Sequence, residues 1–368
     1  MTIIGTRPEI IRLSAVIKAF DRHFDHVLVH TGQNWDYTLN EVFFKELEIR
    51  KADYYLNSVG KTLGETIGNI ISKSYDLIEK LKPDALLVLG DTNSALSTIA
   101  AKRLKVPIFH MEAGNRCFDQ NVPEEINRKI VDHISDINLP YTEHSRRYLL
   151  SEGFRKEHIY VTGSPMPEVL YQYADNIEAS NAPDSFGLKK DSYILVSAHR
   201  EENIDIEKNF ESLMEGLNLV ATHYKLPVIF STHPRTQNKM KQKNVTLNSL
   251  VQNLKPFGFF DYNKLQKNAF AVLSDSGTLS EESAILKFPA VLIRTSTERP
   301  EVLDRGSIVI GGISGADMIN AIDISRDIIT DHSTPNIPDD YQDTNVSMKV
   351  VKIIESYIKI INKVVWYK

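Results

Sequence analysis

The sequence predicts an α/β protein with two doubly wound parallel sheets in tandem. Short apolar runs rich in β-branched residues alternate with amphipathic helical stretches along the whole chain. The runs lack polar alternation, which is typical of parallel strands covered by helices on both faces. They fall into two series, and two series indicate two domains. The predicted strands are TII, HVLVH, ALLVLG, VPIFHM, INLPY and IYVTG in the first series, and YILVSA, PVIFST, FAVLS, AVLIR and SIVIG in the second.

A domain boundary is expected near residue 168. There a helical segment gives way to a polar stretch that contains Pro and Asn, within MPEVLYQYADNIEASNAPDSFGLKKDS. The tail, SMKVVKIIESYIKIINKVVWYK, has the pattern of a long amphipathic helix that we expect to pack on the first domain. The predicted domains are therefore residues 1–168 with helix 347–368, and residues 169–346.

Composition limits the possible partners. The 368 residues carry a net charge of -5, whereas nucleic-acid-binding proteins usually have a clear cationic excess. We therefore expect no nucleic acid partner, although local Arg and His can still bind a phosphorylated small molecule. Cys117 is the only cysteine, which leaves no disulfide within the chain and favours an incidental thiol over a nucleophile. Neither a signal peptide nor an apolar run of about 18 residues is evident, so a cytoplasmic protein without a membrane span is expected.

Polar or reactive residues follow nearly every predicted strand. The segments are GTRPE, TGQN, GDTN and EAGNR in the first series, and AHREEN, THPR, DSGTLSEE and TSTERPE in the second. Ligands of open α/β sheets bind beyond the carboxyl ends of the strands. Eight such strand ends therefore predict a ligand cleft lined from both domains.

The first strand–helix turn has the features of an anion site. Pro8 suits the first turn of a helix, which places Arg7 near the positive helix end. At that position Arg7 would contact the phosphate or the base of a ligand, and an ion pair with Glu9 or another surface acid is the alternative. The sequence alone leaves both open.

The segment DSGTLSEE has a similar character. Thr278 and Glu281 have the spacing of a capping box, so a helix is expected to begin there. Backbone N–H groups at Ser276 and Gly277, just before that helix, would suit a diphosphate. Capping explains the Thr and the Glu but not the Gly, which permits close approach of a ligand to the backbone.

Basic residues end other strands of the second series. His199-Arg200 and His233 lack the spacing of a zinc site, so phosphate contact or a structural hydrogen bond is expected. Arg299 repeats the Arg-Pro pattern of the first turn, with a second anion clamp or a surface ion pair as the two interpretations. The chain lacks GxGxxG and GxxxxGK[ST] motifs and a DxD-like pair, so we expect no nicotinamide cofactor, no P-loop and no required metal.

Three acids fall at the expected ligand edge of the first domain. Asp91 follows ALLVLG and Glu112 follows VPIFHM, while Glu124 lies in the first turn of a helix that begins at Pro123. Glu124 also has a plainer interpretation, since it favours a helix start and lies four residues before Arg128. Separated acids opposite a cationic second domain suit acid–base chemistry on a phosphorylated substrate.

The same helix carries a four-residue apolar repeat. Ile126, Ile130 and Ile134 are expected to form its buried stripe.

Together these motifs resemble the non-hydrolysing UDP-N-acetylglucosamine 2-epimerase family. GTRPE, GDT, MEAG with PEEINR, AHREEN, DSG–EE and TERPE occur in the family's order and approximate spacing over nearly the whole chain. The resemblance implies the GT-B fold, with the nucleotide in the interdomain cleft, and commonly a homodimer. It implies inversion at C2 of a UDP-N-acetylhexosamine without a cofactor.

The family's residues map onto this chain by motif. The implied catalytic residues are Asp91, Glu112, Glu124 and His199. The implied contacts to UDP and substrate are Arg7, Arg12, Gln33, Arg128, Arg200, His233, Ser276, Gly277, Glu282 and Arg299.

Two departures from the usual family pattern bear on the substrate. EAGNRCFDQNVPEE replaces EAGLRTG with its Trp-Pro-Glu-Glu stretch, and Thr278 stands where Gly is common. The variant resembles the capsule and O-antigen branch, which favours UDP-2-acetamido-2,6-dideoxy-L-talose as substrate and UDP-N-acetyl-L-fucosamine as product. Conversion of UDP-GlcNAc to UDP-ManNAc stays open. A GT-B glycosyltransferase, a hydrolysing 2-epimerase and a catalytically inactive sugar-nucleotide sensor are the competing interpretations.

Overall fold

The chain folds into two α/β units, each built on a six-stranded parallel sheet. The computed structural model describes residues 1–32, 41–306, 308–330 and 337–368. Unit 1 comprises Met1–Gln172 and Gln342–Lys368, and unit 2 comprises Tyr173–Tyr341. The predicted α/β class with two doubly wound sheets is confirmed.

In unit 1 the strand order is β3-β2-β1-β4-β5-β6, with every pair parallel. Apolar side chains of the central strands are fully buried, including Ile3, Val88 and Ile108. Helices cover both faces, which is why these strands read as continuous apolar runs. The strands are β1 (Thr2–Ile4), β2 (Leu28–His30), β3 (Tyr54–Tyr55), β4 (Leu86–Leu89), β5 (Ile108–Met111) and β6 (Ile137–Leu139). The helices are α1 (Arg7–His23), α2 (Glu41–Glu46), α3 (Leu63–Leu81), α4 (Thr98–Arg103), α5 (Pro123–Ile134), α6 (Glu143–Ser151) and α7 (Met166–Gln172).

Unit 2 repeats this arrangement, with the strand order β12-β11-β10-β7-β8-β9. Successive residues of its strands enter two different apolar clusters, as Leu195 and Val196 do. The strands are β7 (Ile194–Ser197), β8 (Val228–Ser231), β9 (Val251–Leu254), β10 (Ala271–Ser274), β11 (Ala290–Leu292) and β12 (Ile308–Ile310). The helices are α8 (Ala174–Ala179), α9 (Ala182–Ser185), α10 (Glu201–Ile204), α11 (Glu207–Tyr224), α12 (Pro234–Gln242), α13 (Phe259–Asn268), α14 (Leu279–Leu286), α15 (Glu301–Asp304) and α16 (Gly315–Thr330).

The last helix, α17 (Val346–Val364), belongs to unit 1 and packs on α1. The backbone N–H of Ser347 donates to the Glu168 carboxylate at 2.8 Å. The Lys349 ammonium donates to the Thr162 carbonyl at 3.1 Å. These bonds supplement the apolar stripe that holds the helix on unit 1.

Several elements differ from the sequence-based expectation. The edge strands β3 and β9 were not predicted, because β3 has two residues and Val251 is the only buried residue of β9. The expected strand IYVTG is wrong, since this segment contributes one isolated bridge between Ile159 and Asn138. The predicted strand TII is present in full, and the other predicted strands are present but shorter.

The expected buried stripe of α5 is also wrong. Ile126 is 51% exposed and Ile130 is 36% exposed. The buried face of α5 carries Glu125, Asn127, Arg128, Val131 and Asp132. This helix therefore turns its polar face inward, towards the loops that follow β4 and β5.

No helix in the described part of the chain is long and apolar enough to cross a membrane.

Candidate active site

Both sheets reverse their strand order once, between β1 and β4 in unit 1 and between β7 and β10 in unit 2. The loops that leave the two central strands diverge at such a point and open a crevice at the carboxyl edge. Motif residues follow these strands and also β5, β8 and β11.

The turn after β1 is fixed by Glu9, which is 1% exposed. Its carboxylate accepts hydrogen bonds from the Gly5 N–H at 3.0 Å, the Thr6 hydroxyl at 2.7 Å and the Ser94 hydroxyl at 2.8 Å. Glu9 thus joins this turn to the segment after β4 and is not a surface ion-pair residue. The Arg7 guanidinium lies 5.7 Å from the centre of the Phe43 ring.

Burial raises the pKa of Glu9 from 4.5 to about 7, although hydrogen bonds from Thr6 and Ser94 act in the opposite direction. Between these two values the folded protein holds a proton that the unfolded chain has lost. The contribution of Glu9 to stability should therefore be greatest at low pH and fall as the pH rises to about 7. Relative to Glu9→Gln, which cannot ionise, we expect the wild type to lose about 2–3 kcal/mol of unfolding free energy between pH 4.5 and pH 8. Urea unfolding of both proteins across this range checks the prediction, and parallel curves would contradict it.

Asp91 follows β4 and is bound by α5. The Arg128 guanidinium contacts its Oδ2 through Nε and Nη2, both at 2.7 Å. The Asn127 amide donates to the Asp91 carbonyl at 2.9 Å. The remaining nitrogen of Arg128, Nη1, donates to Glu125 at 2.9 Å. Arg128 is buried, so α5 holds both the backbone and the carboxylate of Asp91 in one position.

Glu112 follows β5 in a left-handed backbone conformation, with φ 65°. That conformation costs a non-glycine residue about 1–2 kcal/mol and is concentrated at functional positions. Its Oε2 accepts a hydrogen bond from Arg12 at 2.5 Å, and its Oε1 accepts one from the Asn115 amide at 3.3 Å. A Cβ added at Gly90 would lie 3.0 Å from the same Oε2. The Glu112 carboxylate therefore lies against Gly90, the residue before Asp91.

Glu124 and Glu125 occupy the first turn of α5 but have different environments. Glu125 is fully buried and accepts hydrogen bonds from the N–H groups of Cys117 and Phe118, both at 3.2 Å. Burial alone would raise the pKa of Glu125, but the Cys117 N–H and Arg128 outweigh it and lower the pKa. Glu124 is half-buried. Glu125 is thus an anchor for the loop before α5, which the sequence did not distinguish from its neighbour.

Cys117 is not suited to nucleophilic chemistry. Burial raises the pKa of its thiol, which disfavours the reactive thiolate. Its Sγ lies 3.4 Å from a Glu125 oxygen.

In unit 2, Asp275 organises the segment after β7. This buried residue follows β10 and accepts hydrogen bonds from the backbone N–H groups of His199 and Arg200, both at 2.9 Å. The Asn203 amide adds a third bond at 3.1 Å. The Nδ1 of His199 lies 3.3 Å from Asp275. Asp275 was not predicted as a site residue, and its place in DSG, directly after a buried strand, was the available signal.

The expected capping box at Thr278 is wrong. Thr278 has helical dihedral angles and makes no side-chain cap to the backbone of α14. Its hydroxyl lies 3.0 Å from the Ser276 hydroxyl. Glu281 is buried within 3.4 Å of Arg299. The side chains of the predicted box therefore contact Ser276 and Arg299.

The Glu298 carboxylate lies close to the turn at Gly277. A Cβ there would lie 2.7 Å from Oε1 of Glu298. Glu298 is held by Arg294 at 2.8 Å and lies 3.6 Å from Arg200. These residues bring two guanidinium groups to the turn that follows β10.

The remaining predicted residues of unit 2 differ in their burial and in their hydrogen-bond partners. Arg299 is 1% exposed, so its interpretation as a surface ion pair is wrong. Glu282 accepts a hydrogen bond from the Gln266 amide at 2.7 Å. His233 begins α12, and its Nδ1 accepts from the Arg235 N–H at 3.2 Å, so its Nε2 carries the proton of the neutral ring. The centres of the His199 and His233 rings are 6.4 Å apart.

Gln33 lies outside the described residues. Among residues 1–32, 41–306, 308–330 and 337–368, no group of three or more His, Cys, Asp or Glu is arranged to hold a metal ion.

The chain resembles proteins of known family. A sequence profile described as UDP-N-acetylglucosamine 2-epimerase matches residues 18–355. The structure of UDP-N-acetylglucosamine 2-epimerase from Rickettsia bellii has 46% sequence identity and a TM-score of 0.90, covering 100% of this chain and 99% of that one. The structure of Methanocaldococcus jannaschii UDP-GlcNAc 2-epimerase in complex with UDP-GlcNAc and UDP has 33% identity and a TM-score of 0.90, covering 96% and 99%. A Pseudomonas aeruginosa relative, UDP-2,3-diacetamido-2,3-dideoxy-D-glucuronate 2-epimerase, is 37% identical over 87% of this chain and 89% of its own length.

Proposed function

Because the chain belongs to the UDP-N-acetylglucosamine 2-epimerase family, we propose that it inverts C2 of a UDP-linked 2-acetamido sugar by eliminating and re-adding UDP, with a 2-acetamidoglycal as the intermediate. One observation carries this proposal. Two acids of the predicted set meet at one sheet edge of unit 1, where the Glu112 carboxylate lies against the residue that precedes Asp91. The third, Glu124, lies in the first turn of the helix whose Arg128 binds Asp91.

The chemistry explains why several acids are needed. C2 of the sugar lies next to an acetal carbon, so its hydrogen is scarcely acidic and simple deprotonation is too slow. If UDP leaves C1 as the C2 proton departs, the product is a neutral glycal. Protonation of C2 from the opposite face, as UDP returns to C1, gives the epimer. A base and an acid must therefore reach opposite faces of the ring.

The leaving diphosphate needs a different kind of site, and unit 2 supplies it. We propose that His199 and the turn at Ser276-Gly277 bind the diphosphate, with Arg200, His233, Glu282 and Arg299 completing the contacts to UDP. Fixed cationic and N–H groups stabilise negative charge that develops on a leaving group without having to reorganise. Asp275 supports diphosphate binding in unit 2, because its bonds to the His199 and Arg200 N–H groups fix the backbone that carries both side chains.

In unit 1 we propose contacts from Arg7, Arg12 and Arg128. Arg12 and Arg128 keep the Glu112 and Asp91 carboxylates in place through bonds of 2.5 to 2.7 Å. Arg7, at the first position of α1, lies where the helix dipole favours an anion.

The class of substrate is better supported than the individual sugar. The relatives named above include enzymes for UDP-GlcNAc and for a UDP-diacetamido uronate at similar identity. We propose a UDP-2-acetamido hexose, with UDP-GlcNAc and the 6-deoxy-L-talo sugar of capsule or O-antigen synthesis as the two candidates.

Proton NMR in D₂O, with no acceptor present, tests the proposal. UDP-GlcNAc and the UDP-linked 6-deoxy-L-talo and L-fuco 2-acetamido sugars are incubated separately with the protein. We expect the epimer of one of them to appear with deuterium at C2. Stoichiometric release of free UDP would identify a hydrolysing enzyme, and neither exchange nor epimer with any sugar would overturn the proposal in favour of a transferase.

A further inference from the structure

We propose that His110 is a positioning residue for the epimerisation, because its imidazole joins the three segments that carry Asp91, Glu112 and Glu124. The inference rests on the function proposed above. His110 lies in β5 and is 1% exposed, so its ring does not itself contact solvent or a ligand.

One ring nitrogen fixes the loop of Asp91. The Nε2 of His110 lies 2.9 Å from the Gly90 carbonyl. Gly90 directly precedes Asp91 and has a positive φ of 69°. A hydrogen bond to this carbonyl therefore holds the peptide from which the Asp91 side chain departs.

The other ring nitrogen fixes the remaining two segments. The Nδ1 of His110 lies 2.9 Å from the carboxylate of Asp132, in the helix α5 that Glu124 begins. Asp132 also accepts hydrogen bonds from the Gly114 N–H, at 3.1 and 3.2 Å. Gly114 comes two residues after Glu112. Asp132 therefore links the imidazole to the turn that carries Glu112 and to helix α5.

These contacts fix the orientation of the ring. The Gly90 carbonyl can only accept a hydrogen bond, so Nε2 donates to it. Nδ1 faces one oxygen of the Asp132 carboxylate. Arg116 binds the other Asp132 oxygen at 2.7 Å and Glu152 at 2.8 and 2.6 Å. A buried cation needs such pairing to be tolerated.

Two substitutions separate the two connections. The amide nitrogen of Asn takes the place of Nδ1 and that of Gln the place of Nε2. His110→Asn therefore keeps the bond to Asp132 and loses the bond to Gly90, and His110→Gln does the reverse. We expect both to lower kcat by about 10- to 100-fold through misplacement of the acids. The KM and the UDP affinity should change little, and the ratio of C2 deuterium exchange to epimer formation should differ from the wild type.

His26 provides a matched control. It is also a histidine of unit 1 whose side chain is buried, with Nδ1 2.7 Å from Asp21 and Nε2 2.9 Å from the Thr2 hydroxyl. Thr2 begins β1, so this ring lies at the amino edge of the sheet, away from the acids. His26→Asn and His26→Gln should lower the unfolding midpoint by a similar amount yet keep kcat.

The outcomes distinguish the possibilities. If the His110 variants fold and keep both kcat and the exchange ratio of the wild type, the network only stabilises the fold and the inference fails. If the wild type forms no epimer, the proposed function fails instead.

Discussion

Replacing Glu112 by Gln is expected to lower the rate of epimerisation by about 10²- to 10⁴-fold, the usual contribution of a positioned acid or base. Asp91→Asn and Glu124→Gln should have effects of the same size. Each amide keeps the shape of the side chain but cannot take up a proton from C2 or return one. UDP binding should persist, because the proposed diphosphate contacts belong mainly to unit 2.

The same variants should reveal which acid serves which face of the ring. A variant that lacks the base for the substrate can still remove the C2 proton of the epimer and eliminate UDP. It can then return a proton to the same face of the resulting glycal. It should therefore exchange deuterium into the epimer but not into the substrate, and loss of the other base should give the reverse. Proton NMR from both directions measures this, and calorimetric titration measures the UDP affinity.

Glu143→Gln provides the control for these three substitutions. Glu143 lies at the start of α6 with its side chain 50% exposed, 3.2 Å from Arg146. Its removal should leave the turnover unchanged. Undiminished turnover in all three acid variants would refute the assignment, and loss of UDP binding together with turnover would indicate a damaged fold.

The fold could be predicted from the sequence because a continuous apolar run indicates a strand that is buried on both faces. β1, β4, β5, β7 and β10 are buried on both faces, and all five were predicted. Edge strands carry less of this signal. In β9 (VQNL) only Val251 is buried, and the pairing of this strand with β8 depends on backbone hydrogen bonds that composition does not encode.

The candidate site could be predicted only in part, because its residues are held by partners that are distant in the sequence. Strand ends with polar residues marked Asp91 and Glu112, but the partners that hold them come from distant positions. Arg12 binds Glu112 across 100 residues of sequence. On α5 the apolar repeat of Ile126 and Ile130 suggested the wrong buried face, because the buried side chains Arg128 and Asp132 bind the loops that follow β4 and β5. Local periodicity cannot show such a reversal.

Replacing Gly114 by Ala should destabilise the protein severely. Gly114 has a φ of 80°, and a Cβ there would lie 2.5 Å from the Ser145 carbonyl oxygen and 2.9 Å from Cγ of Leu149. The positive φ alone costs Ala about 1–2 kcal/mol. The overlap with backbone atoms must add to this, so we expect a total loss above about 3 kcal/mol in the free energy of unfolding. Urea unfolding measures this loss.

Gly153→Ala separates the two causes. Gly153 also lies in unit 1 with a positive φ, 90°, but an added Cβ would meet no atom within 4 Å. This variant should lose only the backbone term of about 1–2 kcal/mol and keep its turnover. Gly114→Ala should also lose turnover, because the shift breaks the N–H bond to Asp132 that fixes the turn of Glu112. Equal losses of stability in the two variants would show that backbone conformation, and not the close approach of α6, explains the glycine at position 114.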